Sequence, residues 1–247
     1  MSAMTITDIP TDAGAAAFAE LGPEFHTAAV DLYRDIHKGI RAELFAITSG
    51  AGSINPADRA DRIALAAHIE STAGVLGSHA HHEDHFIDPI LREHLPALAE
   101  QVEAEHHDLE ARFARVAALA TELIDTPGNR QRADAYALYL ELSGFTSRYL
   151  RHQLLEEGVI MPALDRLLGP EQCGALHGAI VGSIPPEELG RSLTFMLPAM
   201  NAFDRLEMLE GIRMAAPPEA FMGVVGLARS VLQSADFDLL ARGLGLC

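Results

Sequence analysis

The chain has 247 residues, 49% of them hydrophobic, with a net charge of −17 at pH 7, no Trp and twelve histidines. That length buries a sizeable core as one large domain or a domain with an extension, and no apolar run approaches the roughly 18 residues that suggest a membrane span. The acidity argues against a nucleic-acid partner, since phosphate binding needs basic patches. Sparse aromatics and abundant Ala favour packed helices over a sheet, so an all-α fold is expected. Cys173 and Cys247 make no disulfide framework and no metal knuckle. The N-terminal stretch MSAMTITDIPTDAGAAAF has neither a basic nor an apolar signal region. A reducing cytoplasm is the resulting expectation.

Residues 1–20 carry Pro, Gly, Thr and Asp with weak periodicity and are expected to be a flexible leader. A helical pattern begins at Pro23, where Tyr33, His37, Ile40, Leu44 and Ile47 recur at steps of four and three, as on the buried stripe of a bundle helix. SGAGSINP (49–56) ends it, and Pro56 is expected to start the next helix. The second helix carries Leu65, Ile69, Thr72, Leu76, His79, Glu83, Phe86 and Ile90 on one stripe. After Pro96 a third helix carries Val102, His106, Leu109, Phe113, Val116, Ala120 and Leu123, until TPGN (126–129) breaks it. The fourth runs through Leu138, Leu142, Phe145, Tyr149, His152, Glu156 and Val159 and stops near Gly169-Pro170. Four long amphipathic helices joined by short loops predict an up-down-up-down four-helix bundle over 21–169. The extension, 170–247, reads as short helices near 171–182, 186–199, 201–215, 217–232 and 234–243, with Asn201 and Ser234 as N-caps. It holds one His (His177) and no acid/His pair at ligand spacing, but it is apolar enough to meet the bundle, a second subunit or a protein partner.

The chemistry lies in a repeated pattern. Residues 79–89 and 152–162 both read His-x-x-x-Glu-acid-x-x-Ile-x-Pro. Residues four apart on a helix share a face about 6 Å apart along the axis, so each copy points an imidazole and a carboxylate into one space. Each of the four stripes carries a His where Leu, Ile or Val belongs: His37, His79, His106 and His152. Buried charge of this kind is costly without compensation, and a metal ion is the usual compensation. Nitrogen and oxygen donors suit iron or manganese, and six or seven of them exceed what a four-coordinate structural zinc needs, implying two ions. Glu83 and Glu156 stand where they can bridge both. Two ferrous ions bring a charge of roughly +4, which two Glu and a bridging hydroxide cut to about +1, a site attractive to a small anion or reducible diatomic.

These residues resemble the hemerythrin-like HHE cation-binding family, whose members are four-helix bundles with a non-haem di-iron centre. The resemblance spans about 25–168 and rests on IHKGIR (36–41), both His-x-x-x-Glu segments with their Ile-x-Pro, and EHHDLE (105–110). It implies His37, His79, His106 and His152 as terminal ligands and Glu83 and Glu156 as bridges between two oxo- or hydroxo-bridged iron ions, with manganese the other metal. Oxygen-carrying hemerythrins have His-x-x-x-His on the third helix and an Asp five residues after the fourth-helix His. Here Glu110 follows His106 at the ligand spacing, and Glu156 follows His152 at four. More carboxylate favours redox turnover over reversible oxygen carriage, closer to iron-cluster-repair and iron-sensing relatives. The partner implied is oxygen, peroxide or nitric oxide. Enzyme (an oxidoreductase), sensor and iron store all remain open.

Other residues read two ways. Glu110 is a seventh ligand or a solvated flank, because Leu109 competes for the inward register. Tyr33 and Tyr149, each within a turn of a ligand His, are core packing, hydrogen-bond donors to bound oxygen, or an extra ligand. His82 touches the ligands from behind or is exposed. His107 reads as surface, His81 and His85 as an outward pair, and His26 and His68 as three turns too far away. Asp84 and Glu157 are placed to accept hydrogen bonds from ligand imidazoles.

Overall fold

The computed structural model describes residues 28–246; the leader expected at 1–20 lies outside the described residues. Regular structure among the described residues is entirely helical. The residues form two compact units, one taking the segment that ends at Tyr33 with residues 44–180, the other Arg34–Glu43 with residues from Val181 onward. Helix α1 (Arg34–Ser53) contributes to both. It starts later than its periodicity predicts. Residues 28–33 are bent, and the Asp31 carboxylate accepts the Tyr33 amide at 3.0 Å, which holds an Asx-type turn in place of a helical one.

The first unit is the bundle. After α1 come α2 (Arg59–Phe86), the short α3 (Asp88–His94), α4 (Pro96–Ile124) and α5 (Gln131–Leu155). Asp58, rather than Pro56, starts α2: its side chain accepts the Ala60 amide as an N-cap. Named contacts give the topology. Thr48 meets Thr146 at 2.9 Å and Gly50 lies against Leu65, so α1 runs antiparallel between α5 and α2. At one end of the α2/α4 pair Arg59 binds Asp125, and at the other Asp84 binds His106. Phe113 packs on Phe145 with ring centres 4.7 Å apart, and Arg115 pairs with Glu141, so α4 and α5 are antiparallel too. This is the up-down-up-down bundle.

The buried stripes match the periodicity for most of their length. Leu65, Ile69, Thr72 and Leu76 on α2, the apolar set on α4 and Leu138, Leu142, Phe145 and Tyr149 on α5 are all buried. Each fully buried Leu or Ile contributes about 1.5–3 kcal/mol of transfer free energy. Arg62 is also buried; its guanidinium donates to the Ile124 carbonyl at 2.9 and 3.1 Å and to the Pro56 carbonyl, clamping the α4 C-terminus, where a cation is favoured.

The stripes fail at the same place in both repeated segments. Beyond Glu83 the core takes Ile87 and Leu91, not Phe86 and Ile90. Beyond Glu156 it takes Ile160, whereas Val159 is only half-buried. The prolines explain the shift. Pro89 and Pro162 have no N–H to give back four residues and clash with that turn. In the first copy α2 ends at Phe86 and restarts as α3. In the second, Glu156–Ile160 forms a π-helical turn in which the Met161 amide bonds the Glu156 carbonyl five residues back. In the first copy the Ile87 amide keeps the Glu83 carbonyl four residues back as α2 ends, and in the second the wider turn carries Ile160; each Ile is buried. The chain then continues as α6 (Met161–Ser183), broken at Gly169, whose φ of 70° is open to glycine and strained for other residues.

In the second unit α7 (Pro186–Ala199), α8 (Ala202–Ala215), α9 (Pro218–Val231) and α10 (Ser234–Gly243) pack around Leu193, Leu197, Leu209, Ala228 and Leu240. Proline opens α7 and α9. Asn201 caps α8, accepting the Phe203 and Asp204 amides. Ser234, expected as a cap, is instead the first residue of α10; Gln233 stands at the cap position without a side-chain bond. The first turns of α1 belong to this core through Ile36, the Lys38–Asp204 ion pair and Gly39. A Cβ at Gly39 would lie 2.7 Å from the Phe195 ring, so only glycine permits that approach. Among the described residues no helix is long and apolar enough to cross a membrane.

Candidate metal centre

The two repeated segments place Glu83 on α2 and Glu156 at the start of the π-turn, both buried. Around them are two overlapping groups that can hold a metal ion. One is His37, His79, Glu83 and Glu156; the other is Glu83, His106, His152 and Glu156; within each, the ligand atoms lie within 4.8 Å of one another. The two carboxylates are common to both. His79 Nε2 is 3.3 Å from Glu83 Oε1, and His106 Nε2 is 3.3 Å from Glu83 Oε2. His152 Nε2 is 2.9 Å from Glu156 Oε1.

Carboxylates outside the groups fix the direction of two imidazoles. His106 Nδ1 meets Asp84 Oδ1 at 3.0 Å and His152 Nδ1 meets Glu105 Oε2 at 2.9 Å; Gln101 donates to the other Glu105 oxygen at 3.0 Å. With Nδ1–H donated outward, each Nε2 faces the interior, and the two Nε2 atoms stand 3.1 Å apart. Two lone pairs at that distance repel unless a proton or a metal ion lies with them. This carboxylate–imidazole arrangement is the one that orients metal-ligating histidines and raises their basicity.

The electrostatics follow from packing these groups away from water. Burial first, then the charge of Glu156, pushes the Glu83 carboxyl up to about 8, against a weaker downward pull from His106 and His152. Burial works against the imidazolium of His106, but the Glu156 and Glu83 carboxylates beside it outweigh burial and raise its pKa to about 11. For His152 the same opposition is overcome by the Glu156 charge and the bonds to Glu105 and Glu156, reaching about 10. Glu105 is itself lowered: burial disfavours its charge, but the bonds from His152 and Gln101 prevail.

A cation fits these residues. Both Glu83 oxygens are buried without a hydrogen-bond partner, the 3.3 Å imidazole contacts being charge contacts only. An unsatisfied buried carboxylate is among the costlier groups a core can hold, and a divalent ion compensates it directly. The donors are all nitrogen and oxygen, as iron and manganese prefer.

Six of the seven expected ligands thus come together. Glu110 does not: it is exposed, and Leu109 takes the inward register. Tyr33 and Tyr149 are buried, and burial followed by the charges of Glu83 and Glu156 raises both phenols well above the ordinary range. The Tyr149 ring centre lies 6.0 Å from that of His152, on an aromatic row with Phe145 and Phe113. His82 turns back on its own helix, its Nδ1 bonding the Ser78 carbonyl at 2.7 Å. His81 and His85 are exposed with their rings stacked, His107 is exposed, and His26 lies outside the described residues. Of the two acids expected to orient imidazoles, Asp84 does so for His106, whereas Glu105, not Glu157, meets His152. Spacing along one helix carried no signal for Glu105, because its contact crosses from α4 to α5.

A family model described as the hemerythrin HHE cation-binding domain matches residues 28–164, more than half of the chain. The chain belongs to that family. No curated protein and no solved structure matches it. Every residue of the two groups falls inside the hemerythrin match, and the helices of 181–246 lie beyond it.

Proposed function

We propose that this hemerythrin-family protein holds two iron ions bridged by Glu83 and Glu156 and uses them to bind or reduce a small oxidant: oxygen, peroxide or nitric oxide. The sharing of both carboxylates between the two four-residue groups carries the reading. His37 and His79 would complete one ion's set, and His106 and His152 the other's. When bound, the iron pair would supply one-electron redox chemistry toward a small ligand. The chain's own residues hold that chemistry in place. Asp84 and Glu105 keep the His106 and His152 imidazoles turned inward, and Phe113, Phe145 and Tyr149 close the adjoining core to water. The carboxylate-rich donor set favours the ferric state, which supports turnover over reversible carriage.

Metal analysis joined to optical spectra of the reduced protein, titrated with oxygen, peroxide and nitric oxide, tests this. Two irons per chain and spectral change with one oxidant are expected; manganese in their place would reassign the metal. A His152→Ala protein that kept both irons and full oxidant consumption would sink the assignment.

A second reading is a sensor or iron store whose C-terminal helices meet a partner or a second copy. The observation favouring it is the exposure of Phe203 (85%) and Met214 (84%), both on α8. Hydrogen exchange over 186–246 that is the same in apo, reduced and oxidised forms would count against it.

A further inference from the structure

Gln153 is fully buried, and neither its Nε2 nor its Oε1 has a hydrogen-bond partner. Exchanging the two ends of the amide changes nothing, since both are unpaired. The group carries two N–H donors and two acceptor lone pairs, and leaving such a group unmet in a core is strongly unfavourable. An apolar residue belongs at this position of α5, where Leu138 and Leu142 sit on the same interior arc. A local rule broken without compensation inside a core marks a functional position.

Helical geometry places the amide beside the metal groups. At about 100° per residue, Gln153 lies about 40° from Tyr149 and about 60° from Glu156 around the helix, and about 4.5 Å from Glu156 along it. It follows His152 directly but stands on the other flank of the interior arc, the flank of Thr146, which bonds Thr48 of α1. His152 faces His106 of α4. His106 and His152 thus lie on one flank of α5, and the unpartnered amide of Gln153 lies on the opposite flank of the same interior arc. An amide oxygen is a weak, neutral donor to a metal beside two carboxylates. Its N–H end, in contrast, suits an anion or the negative end of a polar diatomic.

We propose that the Gln153 side-chain amide donates a hydrogen bond to the small anionic or polar ligand taken up at the paired metal site, and so sets its affinity. This rests on the metal-centre reading above. The test uses the metal-loaded full chain, azide as the probe, optical titration for affinity, metal analysis for loading, and thermal melts of the metal-free protein. Gln153→Met, similar in volume and without the polar end, is expected to keep the wild-type metal content. It should melt no lower than wild type without metal and weaken azide binding about tenfold or more. Gln153→Leu, which also lacks the N–H and brings no new metal donor, should weaken azide similarly, and it stands in if the Met variant does not fold. Unchanged azide affinity in a loaded variant overturns the proposal. Loss of metal, or a metal-free Gln153→Met protein that melts several degrees lower, overturns it as well, the first making Gln153 a metal-holding residue and the second a bonded core group. A wild-type protein that binds no metal defeats both this inference and the reading beneath it; the variant results defeat this one alone.

Discussion

Glu105 and Glu110 separate what helical spacing implies from what the assembled bundle does. Glu105 lies one residue before His106, where same-face reasoning overlooks it, yet its carboxylate accepts His152 Nδ1–H at 2.9 Å. Glu110 has the ligand spacing and is exposed. Replacing Glu105 by Gln removes the charge that fixes the His152 tautomer and adds to its basicity. Partners of this kind change metal affinity by about 10–100-fold, or roughly 1.4–2.7 kcal/mol. The Glu105 side chain is 35% exposed, so water screens part of the interaction and the lower end, about tenfold, is expected. Glu110→Gln should change affinity by less than about twofold, the range of an exposed substitution. Competition with a chelator, read as metal retained per chain, measures both. A tenfold loss in Glu110→Gln with none in Glu105→Gln would refute the reasoning and restore Glu110 as a ligand.

The remaining predictions follow from the same geometry. Glu83→Ala should strip metal from both positions because Glu83 belongs to both groups, whereas His37→Ala should leave one ion per chain; metal analysis of the two variants decides, and equal losses would argue against shared bridging. The metal-free protein should lose stability as pH rises from about 6 to 10. The folded-state pKa values of Glu83 (about 8, from 4.5) and of His152 and His106 (about 10 and 11, from 6.5) all lie above the unfolded ones, so the folded state holds more protons across that window and gives up stability as they leave. Melts over this range should be flatter with metal bound, since the ion replaces those protons; a metal-free protein that stabilises with rising pH would contradict the sign. Arg62→Met leaves the Ile124 and Pro56 carbonyls unpaired and should cost about 2–4 kcal/mol, roughly 5–15 °C in Tm, with metal content unchanged; a shift below a degree would remove the clamp from the account.

Features repeating at helical period were legible in the residues alone. The stripes through Leu65 and Ile69, Phe113 and Val116, and Leu138 and Leu142 specify which faces are buried, and a His interrupting each stripe specifies the cluster, because both depend only on positions three and four apart along one chain segment. Loop punctuation at 126–129 and the Asn201 cap were local in the same sense. The departures share a cause in contacts and backbone adjustments that no single-helix pattern contains. Spacing brought Glu110 into the expected ligand set; packing chose Leu109 for the interior. The period carried the stripes straight past Pro89 and Pro162; only the folded chain shows a helix end at the first and a π-turn at the second, with Ile87 and Ile160 buried. Pairing of His152 with Glu105 and His106 with Asp84 depends on which helices become neighbours and at what height. A one-dimensional period sets the face of a helix; the choice among groups on facing helices is made when the bundle closes and buried charge must find its partner.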